Sequence, residues 1–323
     1  MKPLVFIPDP IASSGMDLLR SACDCLAPWS EGKKPDLAEQ RGLLARADAV
    51  IVRLFAIRAN DLEQAPRLKV IAKHGVGVDN IDVAAATGRR IPVVFTPTAN
   101  ANAVAEHTMT LMLALARNLF PASTAMLDGR FNDRVKFEGV ELEGKTLGVI
   151  GLGRIGRRVA EMAQRGFAMN VRAYDPFVPA GGYPEGVAIE TSLDALLRDA
   201  DFLTFHMPLT PETRHLMNAG RLRSLKPGCR IVNTSRGGII DESALALALR
   251  EGAFAGAALD VFEQEPLPAD HPFFQTPNLL LTPHISSSTQ ESLDRMARDA
   301  AQGVLDVLQG KRPAHPVNPE VFS

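Results

Sequence analysis

Residues 145–175 read KTLGVIGLGRIGRRVAEMAQRGFAMNVRAYD, in the order strand, glycine turn, helix, strand, acid. A glycine triplet alone is a weak signal. Here it follows the apolar run TLGVI and opens the amphipathic stretch RIGRRVAEMAQR, the context that a dinucleotide-binding unit requires. Gly151 permits the tight turn out of the strand, Gly153 leaves room for a pyrophosphate to approach the backbone, and Gly156 lets the helix pack closely on the sheet. The diphosphate then lies on the positive end of the helix, against the amides of Arg154 and Ile155. Asp175 ends the second strand, 19 positions after Gly156, where a carboxylate accepts from the adenosine ribose and repels a 2′-phosphate. The expected cofactor is therefore NAD rather than NADP. The alternative, a glycine-rich turn with an incidental aspartate, leaves the ordered succession of elements unexplained.

A chain of 323 residues exceeds the usual single core, so two domains of about 100–200 residues are expected. A hydrophobic content of 46%, a formal net charge of −2 and the absence of clustered Lys and Arg argue against a nucleic-acid partner. Cys23, Cys25 and Cys229 cannot all pair within one chain, and the close spacing of the first two suggests neither a metal site nor a disulfide framework. They read as reduced thiols of a cytoplasmic protein. The start, MKPLVFIPDP, has one lysine and a four-residue apolar run before Pro8, which reads as a first strand rather than a signal peptide. The longest apolar segment, 108–115, is bounded by Glu106, His107 and Arg117 and is too short for a bilayer, so no membrane partner is expected.

From Leu4 to Val94 the short apolar runs LVFI, AVIVR, KVIAK and PVVF alternate with helical patterns near residues 14–22 and 36–46. That rhythm indicates parallel strands with crossover helices. A long helix over 101–118 follows, and after the glycine unit come DFLTFH, RIVNTSR, AGAALDVF and NLLLTPH, apolar runs that end in polar residues. A last helix is expected over 289–309, ahead of a tail, RPAHPVNPEVFS, too rich in proline to be helical. The fold class is α/β with two doubly wound domains. A Rossmann domain at 100–286 is inserted in a discontinuous, flavodoxin-like substrate domain made of 1–99 and 287–323.

In doubly wound sheets ligands bind beyond the carboxyl ends of the strands. Three ionisable residues stand there: Arg236 after CRIVNTS, Glu265 after LDVFEQ and His284 after LLLTP. When a carbonyl receives a hydride, charge develops on its oxygen and a proton must reach it, and histidine is the natural donor near neutral pH. A neighbouring Glu265 stabilises the imidazolium, and neutral His284 serves as base in the reverse direction. Arg236 suits a substrate carboxylate and polarises the adjacent carbonyl. Each also has a bland reading, His284 as a cap, Arg236 as a turn residue and Glu265 as a solvated charge. His107 and His215 read as surface or helix-packing residues.

GLGRIG with Asp175, NTSRGGIIDESAL around Arg236, ALDVFEQEP around Asp260 and Glu265, and TPHI at His284 together resemble the D-isomer-specific 2-hydroxyacid dehydrogenase family, over nearly the whole chain. The resemblance implies NAD as cofactor, a small 2-hydroxy or 2-keto acid as substrate and a homodimer. It implies that Arg236 binds substrate, that Glu265 and His284 handle the proton, and that Asp260 contacts the nicotinamide carboxamide. Thr234 and Ser235 fall on the nicotinamide side and Pro208, in HMPLTPET, on the adenosine side. KHGVGVDNID, 73–82, looks like the family's substrate loop, with backbone amides at Gly75, Val76 and Gly77 for the substrate carboxylate. Ser286 departs from the small Gly or Ala common two residues past the histidine. Only a short tail follows the last helix, so the appended regulatory domain of long phosphoglycerate dehydrogenases is not expected.

Arg53 matches an arginine that in phosphoglycerate dehydrogenases faces the distal phosphate, and Lys73 matches a basic position, with His74 beside it. Two such cations suit a substrate with a second anionic group, such as 3-phosphoglycerate. Solvated charges at strand ends are the open alternative. Hydroxypyruvate or glyoxylate reduction and sulfolactate oxidation are alternatives within the family. A corepressor-like NAD(H)-sensing protein is one of another class. Formate oxidation needs no acid–base pair, and that branch typically carries Gln where this chain has Glu265.

Overall fold

The computed structural model describes residues 2–178 and 184–323. The chain begins β1 (Leu4–Phe6), α1 (Ser13–Ala22), β2 (Asp24–Leu26), α2 (Leu37–Leu44), β3 (Ala49–Val52), α3 (Ala59–Glu63), β4 (Val70–Lys73), α4 (Val83–Gly88) and β5 (Val93–Val94). It continues α5 (Ala101–Ala116), α6 (Leu119–Leu127), β6 (Thr146–Ile150), α7 (Arg154–Phe167), β7 (Asn170–Tyr174), β8 (Ala188–Ile189), α8 (Leu193–Asp199) and β9 (Phe202–Phe205). Then come α9 (Ala219–Arg223), β10 (Arg230–Asn233), α10 (Glu242–Arg250), β11 (Gly256–Leu259), β12 (Leu279–Leu281) and α11 (Gln290–Leu308). Two compact units result, Met1–Asn100 with Ser288–Ser323, and Ala101–Ser287. Each junction lies one residue further along than the sequence placed it.

The first unit holds a parallel sheet of order β2-β1-β3-β4-β5, the flavodoxin-like order. Its central strands β1 and β3 are apolar throughout because both faces are covered. Val5, Ile51, Val70 and Ala72 face α1 and α11, while Phe6, Val50, Val52 and Ile71 pack with Leu44, Leu62 and Ala86 of the other helices. Burying each of the larger side chains contributes about 1.5–3 kcal/mol. α11 approaches α1 so closely that a Cβ on Gly15 would lie 2.6 Å from the Ala297 carbonyl oxygen. The tail follows α11 back to this sheet. Val317 N–H donates to the Val93 carbonyl at 2.7 Å, and buried Asn318 accepts from Val93 N–H at 2.7 Å and donates to the Ile91 carbonyl at 3.0 Å. One 3₁₀ turn, Pro319–Phe322, forms where no helix was expected, because its proline stands at the first position, where a missing N–H costs nothing.

The second unit is a seven-stranded parallel sheet of order β12-β11-β10-β9-β6-β7-β8. β6 lies between β7 and β9, where the strand order reverses, and the GLGRIG turn leaves from its carboxyl end. α5 and α7 bury Ala105, Met109, Met112, Val159 and Ala163 on one face, and α8 and α10 bury Leu196, Leu197, Leu245 and Leu249 on the other. The long helix expected to Asn118 stops at Ala116. Asn118 adopts a left-handed φ of 49° and redirects the chain into α6, a break that hydrophobic periodicity does not reveal. No helix among the described residues is long and apolar enough to cross a membrane.

His74, at the end of β4, is 3% exposed and its Nε2 has no partner among the described residues. Burial first, and the charge of Arg53 second, push its pKa down to about 4. The unfolded chain therefore takes up this proton near the ordinary 6.5 while the native state refuses it until about 4. The stability that follows is full above the ordinary value and is lost as pH falls through the window between them. In His74→Asn, stability should fall less steeply across that window, by about 1.4 kcal/mol per pH unit, in thermal melts recorded from pH 4.5 to 7. Equal slopes in the two proteins would contradict this.

Candidate active site

The glycine turn has the geometry its sequence implies. Gly151 has a φ of 94°, and a Cβ there would lie 2.7 Å from the His206 carbonyl oxygen. A Cβ on Gly156 would meet the Gly151 carbonyl oxygen at 2.0 Å, while one on Gly153 would meet nothing within 4 Å. Gly153 is the N-cap of α7 and no side chain caps this helix, so the amides of its first turn, at Arg154 and Ile155, face the open side of the turn. Asp175 accepts from Leu152 N–H at 2.7 Å through Oδ2 and from Phe177 N–H at 2.9 Å through Oδ1, which ties the turn to the end of β7. An unblocked turn at a helix N-terminus with an acid at the next strand end fits a dinucleotide. Pro208 follows β9 in the same unit, beside His206, whose pKa burial pushes down to about 3 and whose Nε2 lies 3.0 Å from Thr204 Oγ1.

The ends of β10, β11 and β12 bring three of the expected residues into one constellation. His284 Nδ1 lies 2.7 Å from Glu265 Oε2. Burial of Glu265 opposes its charge, but the hydrogen bond and charge of His284, the Phe262 amide and the charge of Arg236 outweigh it and hold the carboxyl below its ordinary range. The Phe262 N–H donates to Glu265 Oε1 at 3.0 Å. Arg236 is shaped by Asn233, whose Nδ2 donates to the Arg236 carbonyl at 2.8 Å and whose Oδ1 accepts from Ser235 N–H at 3.0 Å and Ser235 Oγ at 2.8 Å. A Cβ on Gly237 would lie 1.9 Å from the Phe262 carbonyl carbon, so the Arg236 turn and the segment leading to Glu265 are in backbone contact. Thr234 is buried, with Oγ1 2.9 Å from Thr108 Oγ1.

Asp260, expected at the carboxamide, has no exposed surface. It accepts from Thr282 Oγ1 at 2.6 Å, Ile285 N–H at 2.9 Å and Ser286 N–H at 2.8 Å. Ser286 is thereby buried, its amide fixed, and its departure from Gly or Ala is accommodated. His107 is not a surface residue. Its ring is 19% exposed and Nε2 lies 3.2 Å from Thr282 Oγ1 and 3.7 Å from Asp260 Oδ1. No local pattern marks His107 or Thr282, since each acts on residues far from it in sequence, whereas Asn233 acts on Ser235 and Arg236 in its own turn. His215 does pair at the surface, 3.0 Å from Glu263.

In the first unit, Asp9 Oδ2 accepts from three successive amides, Arg53 at 3.2 Å, Leu54 at 2.8 Å and Phe55 at 3.1 Å. Lys73 Nζ donates to the Arg53 carbonyl and to Asn80 Oδ1, both at 2.7 Å. Lys73 therefore braces the turn that carries Arg53, a different use from the one its charge suggested. In the KHGVGVDNID loop the Gly75 N–H donates to Thr96 Oγ1 at 3.1 Å. That amide is engaged, contrary to expectation, and among the described residues the Val76 and Gly77 amides are the ones left for an anion.

Residues 109–286, more than half of the chain, match the family described as D-isomer specific 2-hydroxyacid dehydrogenase, NAD binding domain. A D-3-phosphoglycerate dehydrogenase of Methanocaldococcus jannaschii is 47% identical over 84% of this chain, which spans 52% of that protein's length. A glyoxylate reductase of Thermofilum pendens is 40% identical over 99% of this chain and 96% of its own. Among solved structures, the TT0316 protein of Thermus thermophilus superposes with a TM-score of 0.88 at 36% identity, over 97% of this chain and 99% of the other. The glycine turn, the acid at Asp175 and the strand-end cluster are thus carried by a chain that belongs to the D-isomer-specific 2-hydroxyacid dehydrogenase family, with an NAD-binding domain over residues 109–286.

Proposed function

We propose that the protein interconverts a small D-2-hydroxy acid and its 2-keto acid. The observation that carries this reading is the His284–Glu265 pair at 2.7 Å, beside Arg236, in a unit whose glycine turn fits a dinucleotide. Bound NAD(H) supplies or accepts the hydride. Because the Glu265 carboxylate accepts from His284 Nδ1, that nitrogen carries hydrogen and Nε2 is the one that exchanges a proton with the substrate oxygen. With its carboxyl held low, Glu265 stays anionic near neutral pH and stabilises the imidazolium that waits to give its proton to the carbonyl oxygen. In oxidation neutral His284 takes the hydroxyl proton. Arg236 holds the substrate carboxylate and polarises the carbonyl beside it. Gly151, Gly153, Gly156 and the amides of Arg154 and Ile155 hold the diphosphate, Asp175 the ribose, Pro208 the adenosine side, and Thr234 and Ser235 the nicotinamide side. Asp260 acts there chiefly by holding the turn of His284.

The substrate contacts assigned to the first unit are the Val76 and Gly77 amides and the Arg53 guanidinium, with His74 as a neutral wall. With Lys73 engaged in bracing, the case for a second anionic group on the substrate rests on Arg53. The relatives named phosphoglycerate dehydrogenase and glyoxylate reductase bracket the two options, and Arg53 favours the doubly anionic one.

We assign the partner role to a second copy of the chain. Leu119, Phe120, Met126, Leu127, Phe131 and Val135 are exposed on α6 and the turn after it. They are rimmed by ion pairs of Arg130 with Asp128 and Asp133, the apolar centre and polar rim of an interface. A groove of about 480 Å³ in the same unit, lined by Met109, Leu113, Met162 and Phe167, offers a complementary apolar seat. The three cysteines are free, which fits a cytoplasmic location.

His284→Ala should lower keto-acid reduction about a hundredfold or more while NADH binding, read by fluorescence, is retained. Near-normal turnover would remove His284 from the mechanism, and failure of the wild type across a keto-acid panel would favour cofactor sensing. Across glyoxylate, hydroxypyruvate, phosphohydroxypyruvate and sulfopyruvate, Arg53→Ala should reduce kcat/KM about tenfold to a hundredfold for the doubly anionic pair and little for glyoxylate. A uniform loss would argue against a distal anion. Sedimentation should show a dimer that Leu127→Glu with Phe131→Glu converts to monomer, and a monomeric wild type would refute the assignment.

A further inference from the structure

His107 lies on α5, next to Thr108, and both side chains reach the strand ends of their own unit. We propose that His107 is a positioning residue for His284, acting through Thr282 and Asp260. The proposal rests on the reading of His284 as the proton-transfer group.

Donors and acceptors along the path fix its direction. Asp260 accepts from Ile285 N–H, Ser286 N–H and Thr282 Oγ1. The single hydroxyl hydrogen of Thr282 is therefore directed at Asp260, at 2.6 Å. Its contact with His107 Nε2, at 3.2 Å, then requires the histidine to donate, which places a hydrogen on Nε2. The result is a directed chain from His107 through Thr282 to a carboxylate without exposed surface. Such a carboxylate is costly to bury without a full set of donors.

The far end of the chain is the backbone of the proposed acid. Ile285 and Ser286, whose amides Asp260 holds, are the two residues after His284. His284 itself has a left-handed φ of 52°, and its N–H donates to the Thr282 carbonyl at 3.0 Å. A non-glycine residue in this region is strained and persists only where its surroundings determine it. Asp260 and Thr282 supply those surroundings, and His107 fixes Thr282 from the helix behind. Without His107 the Thr282 hydroxyl loses its donor and is free to rotate off Asp260, loosening the turn that aims the imidazole. Misplacement of a reacting group by a fraction of an ångström acts on the chemical step more than on substrate or cofactor affinity.

The test compares His107→Leu, which keeps bulk and removes the donor, with His107→Gln, whose amide nitrogen reaches close to the Nε2 position. His107→Leu should lower kcat for keto-acid reduction about tenfold, with KM, the NADH dissociation constant and the melting temperature little changed, and His107→Gln should recover most of the loss. A kcat near wild type in His107→Leu, an equal defect in both variants, or a loss confined to KM or NADH affinity would overturn the proposal. If His107→Leu does not fold, Thr282→Val cuts the chain at its next link and must show the same selective fall in kcat, and unchanged kcat there also overturns it. His284→Ala run in parallel separates the two levels. Normal turnover in that variant defeats the reading of His284, whereas loss of turnover there with normal His107→Leu and Thr282→Val defeats the positioning chain alone.

Discussion

Asp260 stands at the end of β11 with no exposed surface, and three donors converge on its carboxylate. Loops that leave parallel strands have amides that no ladder can satisfy, and a short acceptor side chain on the same or a neighbouring element settles them. Asp175 does this for the glycine turn, Asn233 for the segment before Arg236, and Asp9 for the three amides from Arg53 to Phe55. Each acceptor fixes a turn that carries a candidate binding or reacting group. The charge of Asp260 is tolerable in the interior only because its donors are in place, so the turn of His284 and the burial of Asp260 depend on one another.

The sheets supply what these turns require, a rigid base. Fully buried parallel strands such as Ala49–Val52 and Gly256–Leu259 leave little freedom to the backbone at their carboxyl ends. Close approaches through glycine add to this, at Gly15 against Ala297 in the first unit and at Gly237 against Phe262 in the second. Around His284 and Glu265 the electrostatics are mutually consistent. The carboxyl of Glu265 is held low by the histidine, an amide and an arginine despite its burial, and a stable anion is what an imidazole acid requires at its back.

Much of this was legible in the sequence. Apolar runs such as AVIV and VIAK marked strands because parallel sheets bury both faces, and GLGRIG was interpretable because the strand before it and the helix after it were readable too. Arg236, Glu265 and His284 were visible as polar residues closing apolar runs. What escaped was interaction across the fold. Lys73 read as a cation for a second anionic group on the substrate and braces the Arg53 turn, because its acceptors lie on Arg53 and Asn80. Gly75 read as an anion-binding amide and is already bonded to Thr96. His107 read as a surface or helix-packing residue and is linked to Thr282, 175 positions away. The break at Asn118 escaped for a local reason, since a left-handed residue leaves helical periodicity intact on both sides.

The decisive measurement for the strand-end cluster as a dehydrogenase site is isotope transfer. NADH carrying deuterium at both C4 positions, incubated with the protein and a 2-keto acid, should give the D-2-hydroxy acid with one deuterium on C2, read by chiral separation and mass spectrometry. A product without deuterium at C2 would contradict direct hydride transfer at this site, and label appearing in the L isomer would contradict the D stereochemistry assigned to it.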